Sequence, residues 1–281
     1  MRALPAHRPL LIGHRGGAVE APENTLHAFQ HAVSCGAQMI ELDLHAAVDG
    51  AIVVIHDPTL DRTTDGTGAV AQQRLPDIRT RDAAHWFAPG LGSTRAATAY
   101  PLRGVATGAR PPPEGVDPDR LRVPTLAEAL EALRDVWITM ELKSPHLHER
   151  VAEHLDAYGR AGDVIVSGFA PARLEPFRRY APHVATSATQ PEVTSFWGWA
   201  HGGGTQPAIA YEALQVPTTH DGIEVVTPAF VECAHEQGIA VHVWTIDDPG
   251  EMHRLLDLGV DGIMTDRPSV LAAVYRERAD G

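Results

Sequence analysis

The feature that most constrains this chain is an alternation. Short β-rich apolar runs recur along it, separated by segments whose apolar residues fall at three- and four-residue spacing. Eight runs are predicted as strands: residues 10–14, 39–43, 136–142, 164–168, 183–187, 223–226, 240–245 and 261–265. Segments 24–36, 125–135, 228–238 and 249–259 read as helices, with Asn24 suited to an N-cap and Gly36, Gly238 and Gly259 to C-terminal stops. Strand–helix alternation demands parallel strands joined by crossover helices, and eight repeats close most readily into a (β/α)₈ barrel.

One stretch breaks the rhythm. Residues 46–124 carry no strand–helix repeat and include the run PPPEGVDPD, which must be loop. Without these 79 residues the remaining 202 still suffice for a short barrel, so residues 1–281 read as a single domain with an insertion after the second strand. Residues 195–222, with Trp197, Trp199, HGGG at 201–204 and Tyr211, read as an elaborated loop.

Charge narrows the function. A net charge of −13 without a basic run argues against nucleic acid and against an anionic membrane held by general attraction, so an anionic substrate needs a few focused cations. Cys35 and Cys233 form no disulfide framework. The N-terminus lacks a signal-peptide core, and no apolar run is long enough to span a bilayer. The expectation is a cytoplasmic protein without stable membrane insertion.

In a barrel of this type the chemistry sits at the C-terminal ends of the strands. Strand one ends in His14-Arg15-Gly16-Gly17, strand two carries Glu41-Leu42-Asp43 and strand three ends in Glu141-Leu142-Lys143. Residues two apart share a strand face, so each carboxylate pair or charged pair aims the same way. Asp49-Gly50 between apolar runs predicts a two-residue hairpin turn, which sets His56 opposite Asp43. Glu41, Asp43 and Glu141 offer oxygen ligands only and favour a hard divalent cation, Mg²⁺ or Ca²⁺. Arg15 and Lys143 could hold a phosphate, and His14 and His56 could serve as general acid and base. Together they suit attack at phosphorus.

Other groups read more plainly. His27 and His31 look like a helix surface pair, and Glu23 and Asn24 like structural residues opening the first helix. His45 could support the site, and His146 and His148 could reach its mouth. Trp244, at a strand end, reads as a substrate wall. Trp197, Trp199 and Tyr211 could line an apolar alcohol site or pack under a loop. HGGG reads as a flexible loop because no G-x-S-x-G accompanies it.

At GHRGG…APENTLHAF (13–29), IELDLHAAVDGAIVVIHDPTLDRTT (40–64), ELK (141–143), WTIDD (244–248) and GVDGIMTDRP (259–268) the chain resembles the glycerophosphodiester phosphodiesterase family. The resemblance spans nearly the whole chain. It implies a (β/α)₈ barrel with an insertion after strand two, His14 and His56 as acid/base pair, Glu41, Asp43 and Glu141 as metal ligands, and Arg15 and Lys143 on the phosphate. It implies hydrolysis of glycerophosphodiesters to glycerol 3-phosphate and an alcohol through a cyclic phosphate. Asp247 stands where family members often have Asn. Two competing readings keep the scaffold: a lysophospholipase D or other lipid or cyclic phosphodiesterase, and a barrel that binds phosphodiesters or a protein partner without catalysis.

Overall fold

A computed structural model describes residues 9–280. Residues 1–8, most of the N-terminal segment read above for a signal peptide, lie outside the described residues. Eight parallel strands form the barrel: β1 (Leu10–His14), β2 (Met39–Ala46), β3 (Trp137–Leu142), β4 (Val164–Ser167), β5 (Ala185–Thr186), β6 (Ala213–Pro217), β7 (Ala240–Trp244) and β8 (Gly262–Thr265). Each is followed by a helix: α1 (Leu26–Ser34), α2 (Leu126–Ala132), α3 (His148–Ala157), α4 (Pro171–Tyr180), α5 (Gln190–Ala200), α6 (Pro228–Glu236), α7 (Pro249–Asp257) and α8 (Pro268–Asp280). The strands are hydrogen-bonded in the order β5-β4-β3-β2-β1-β8-β7-β6. A single parallel bridge, Ser187 to Ala213, closes β5 onto β6.

Strand parity builds two apolar layers. Leu11, Ile40, Leu42, Leu44, Ile138, Met140 and Leu142 face outward and merge with the buried sides of the helices, among them Phe29 of α1 and Phe177 of α4. Leu10, Ile12, Met39, Ile165, Ala185, Ala213, Ala240 and Met264 fill the lumen. Continuing the inward parity upward from Ile12 gives His14, and from Met39 it gives Glu41 and Asp43. The polar cluster is therefore stacked on an apolar plug.

Local signals fix the helix starts. Thr25, not the expected Asn24, is the N-cap of α1, its side chain accepting from the Ala28 N–H. Asn24 is held at φ +54 and its side chain turns elsewhere. Thr125 and Glu128 form a capping box at α2. Pro171, Pro228 and Pro249 occupy the first turns of α4, α6 and α7, where no amide hydrogen is needed.

The predicted sixth strand, 223–226, is misplaced. Ile223–Glu224 instead pairs with Thr219–His220 in an exposed hairpin turned by Asp221 and Gly222, both at positive φ. The barrel strand is ALQVP at 213–217, within the stretch expected to be loop, whose start is helix α5. The β-branched IEVV run after Asp-Gly gave the stronger local signal, but tertiary pairing with β7 selected the earlier segment.

Between β2 and α2, Ile52–Val54 pairs antiparallel with β2, followed by the short helix Leu75–Arg79 and a small Phe87–Ala88/Gly92–Ser93 hairpin. This region carries apolar clusters of its own, one around Val53, Leu60 and Ile78, another around Phe87, Val105 and Leu121. Among the described residues no helix is long and apolar enough to cross a membrane.

Arg160 illustrates how the outer ring is tied down. It is 5% exposed, pairs with Asp163, and donates to the carbonyls of Leu130, Leu133 and Val136. Two of these carbonyls close the end of α2, where no intrahelical donor remains. Arg160→Met is expected to lower unfolding free energy by about 3 kcal/mol, read as a shift of the urea midpoint. A change below about 1 kcal/mol would show that water satisfies those carbonyls equally well.

Candidate active site

The upper barrel opens into a cavity of about 460 Å³. His14, Arg15, Glu41, Asp43, His56, Glu141, Lys143 and Trp244 all line it, so every residue singled out for the site converges on one opening. Register explains the convergence. His14 is beside Glu41 in the β1–β2 ladder and Asp43 beside Glu141 in the β2–β3 ladder.

Asp43 is the hub, at 1% exposure. Its Oδ2 accepts from Asn24 Nδ2 at 2.8 Å and lies 3.3 Å from Arg15 Nε, while Oδ1 lies 3.3 Å from Lys143 Nζ. Burial alone would raise the Asp43 pKa, but Arg15 and Lys143 outweigh it and hold the carboxyl below its ordinary value. Lys143 Nζ also contacts Glu141 Oε2 at 2.6 Å. Glu41 is less well compensated. Burial and the charge of Asp43 push its carboxyl up to about 8, although one oxygen accepts from the Arg15 backbone N–H at 3.0 Å.

The turn that carries this N–H packs closely against α1. At Gly16, φ is +83, and a Cβ there would lie 2.6 Å from the Ala28 carbonyl carbon of α1. The tight turn bends the chain back so that the Arg15 N–H meets Glu41.

Each histidine is anchored by a carboxylate. His14 Nδ1 is 2.7 Å from Asp266 Oδ1, and His56 Nδ1 is 2.7 Å from Asp57 Oδ1. Burial would lower the His14 pKa, but the hydrogen bond to Asp266 and the charge of Glu41 raise it above the ordinary histidine value. Asp247 accepts from the Thr265 hydroxyl and the Asp266 N–H, which fixes the Asp266 segment. His56 reaches the cavity by a different route from the one expected. The turn after β2 closes with Ala47 donating to Ala51 and Gly50 at φ +82, a three-residue loop rather than two. Ile55, not His56, therefore lies opposite Asp43, as its N–H bonded to the Asp43 carbonyl shows. His56 lies just past the strand, with its carbonyl bonded to His45 Nε2 at 3.0 Å. His45 in turn contacts Ser144, so it supports His56 without lining the cavity.

A profile of the glycerophosphoryl diester phosphodiesterase family matches residues 14–270. The chain belongs to this family. It is 31% identical over 278 residues to a glycerophosphodiester phosphodiesterase of Caldanaerobacter subterraneus, covering 96% of this chain and 99% of that one. It is 30% identical to a glycerophosphodiester phosphodiesterase of Bacillus subtilis, covering 97% and 88%. The crystal structure of a glycerophosphodiester phosphodiesterase from Agrobacterium tumefaciens superposes with a TM-score of 0.69 at 27% identity, over 94% of this chain and 99% of that one.

Glycerophosphoryl diester phosphodiesterases generally use a divalent cation. The donor set here fits one: three buried carboxylates, all oxygen, with burial and the neighbouring Asp43 pushing the Glu41 carboxyl up to about 8. The three do not yet converge. Among the described residues their oxygens do not gather within 4.8 Å of one another, and Arg15 and Lys143 stand among them.

Several expectations resolve away from the site. His146 and His148 do not line the cavity, and His148 packs edge-on against Tyr180. His31 pairs with Glu20 at 2.8 Å. Tyr211 and Trp199 belong to the outer core, whereas Trp197 lines the cavity. HGGG follows α5 as exposed chain. Sequence reasoning missed Asp57, Arg62 and Asp266. Arg62 donates to both Asp57 and Glu23, and Glu23, 5% exposed, also accepts from Arg15 at 3.0 Å. The TDRP and DPTLDR strings held these residues, but only folding shows which partner each one finds.

Glu23 thus bridges Arg62 and Arg15. Burial would raise its pKa, but the hydrogen bonds and charges of Arg62 and Arg15 bring it below the ordinary value. A depressed folded pKa contributes stability above the unfolded value of about 4.3 and loses it as pH falls through the folded value. Glu23→Gln is expected to destabilise by about 3 kcal/mol at pH 7. In urea titrations the gap between wild type and variant should narrow below about pH 4. A gap that stays constant down to pH 2 would contradict the charged pairing.

Proposed function

We propose that this protein hydrolyses glycerophosphodiesters to glycerol 3-phosphate and an alcohol, with His14 and His56 as the acid/base pair. One observation carries the assignment of roles: two carboxylate-anchored histidines face a single cavity beside a buried cluster of three carboxylates and two cations. A carboxylate on Nδ1 fixes that nitrogen as the donor and leaves Nε2 to exchange protons. Arg15 and Lys143 supply the focused positive charge that an acidic protein needs to hold a phosphodiester.

Glu41, Asp43 and Glu141 would hold the divalent cation, Mg²⁺ or Ca²⁺, which when bound would withdraw charge from the phosphoryl oxygens. The protein's own residues handle the protons. One histidine accepts the proton of the neighbouring glycerol hydroxyl as its oxygen bonds to phosphorus, and the other donates to the departing alcohol oxygen. The roles then reverse. The second histidine takes a proton from water as its oxygen attacks the cyclic phosphate, and the first returns one to the released glycerol oxygen.

On this reading residues 1–281 act as one phosphodiesterase domain, with the inserted segment 46–124 supplying His56, Asp57 and Arg62. Free Cys35 and Cys233 suit a reducing, cytoplasmic setting, and the acidic surface gives nucleic acid no purchase.

His14→Ala and His56→Ala should each lower kcat about 10³-fold on glycerophosphodiesters, with the urea midpoint changed little. The two-histidine scheme also gives a bell-shaped pH profile whose acid or alkaline limb disappears in the matching variant. Chelator should abolish release of glycerol 3-phosphate, and Mg²⁺ or Ca²⁺ should restore it. Near-wild-type turnover in either histidine variant would overturn the role assigned to that residue.

A further inference from the structure

The cavity has two unlike halves. Its charged half comes from β1, β2, β3 and the chain after β2. Its other half comes from β4 through β7 and the segments that follow them; there Phe169, Val193, Trp197, Ile223, Val225 and Trp244 form apolar walls, interspersed with His220 and with uncharged polar groups such as Ser167, Gln190, Thr194 and Gln215. Helix α5, most of it in the stretch expected to be loop, and the 219–224 hairpin, which takes up part of the predicted sixth strand, form the outer wall of this half. A phosphodiester bound at the charged half therefore has a mainly apolar chamber alongside it. The cavity falls within the roughly 300–1,000 Å³ typical of pockets for drug-sized ligands, larger than a three-carbon phosphate requires.

We infer that this half receives the leaving alcohol, and that the preferred alcohols are uncharged and carry an alkyl chain. The inference rests on the phosphodiesterase reading above and names its substrate class. The aromatic groups are placed as walls rather than as a cage for a cation. Trp197 stacks on His201 at 4.1 Å, which uses one of its faces, and its Nε1 donates to the Glu224 carbonyl. Trp244 and Phe169 meet edge to face at 5.7 Å. The remaining walls are aliphatic, and the carboxylates that line the cavity, Glu41, Asp43 and Glu141, are all on the charged half. A cationic alcohol would leave water for a half lined mainly by apolar walls and neutral polar groups, with no carboxylate among its lining residues. Phe169 and Ile223 are 46% and 51% exposed, an uncovered apolar rim that an alkyl chain would shield.

The test is a series of glycerol 3-phosphate diesters of ethanol, butanol, hexanol and octanol, whose leaving oxygens differ little in acidity, assayed beside the choline and ethanolamine diesters. kcat/KM is expected to rise about threefold per methylene until the chamber is filled, and to be lowest for the two cationic alcohols. In Ile223→Ser and Val193→Ser the hexyl-to-ethyl ratio should fall several-fold, a ratio that a general loss of folded protein would not move. A flat or falling series, a preference for the cationic alcohols, or a ratio unchanged in both variants overturns the alkyl subsite while the phosphodiesterase reading stands. No hydrolysis of any member overturns both.

Discussion

Three carboxylates at the ends of two adjacent strands cannot leave water together unless positive charge is packed among them. Here the compensation is a chain of alternating sign: Arg62, Glu23, Arg15, Asp43, Lys143, Glu141. Each member touches the next, so the loop after β1, the ends of β2 and β3 and the segment after β2 are fixed by one network. Glu41 is the member least well served, and its raised pKa marks where positive charge is still wanted. A site built this way ties the first three strands together and leaves a carboxylate short of compensating charge at the cavity.

Much of this was legible before folding because strand parity is a property of the chain itself. Inward positions two apart in IELDL and MELK could be read directly, and they put Glu41, Asp43 and Glu141 where the structure has them. The sixth strand was not legible, since ALQVP is short and competes with a better local β signal ten residues later. His56 was placed correctly for the wrong reason. The Asp49-Gly50 turn took one more residue than its commonest form, and an odd shift in register exchanges faces. His56 still reaches the cavity because the strand stops at Val54 and parity no longer applies.

The partners Asp57, Arg62 and Asp266 were invisible for another reason. An arginine in a loop announces a charge and not a destination, and only the closed barrel brings residue 266 to residue 14. The asymmetry of the cavity was legible in part, in Trp197 and Trp244 as candidate walls. What the sequence reading missed is which segment makes the sixth strand and that α5 and the 219–224 hairpin wall that side.

The ring itself is unevenly made. A ladder of six residue pairs joins β2 to β3, whereas β5 meets β6 through one bridge. The barrel is a hoop with one thin stave, and that stave stands on the apolar side. Local opening of the hoop is expected to start there, where two backbone hydrogen bonds cross the seam, before it reaches the charged knot opposite. Backbone amides at this seam should exchange with solvent while those of β2 remain protected, so the charged side of the cavity stays rigid as the apolar side breathes.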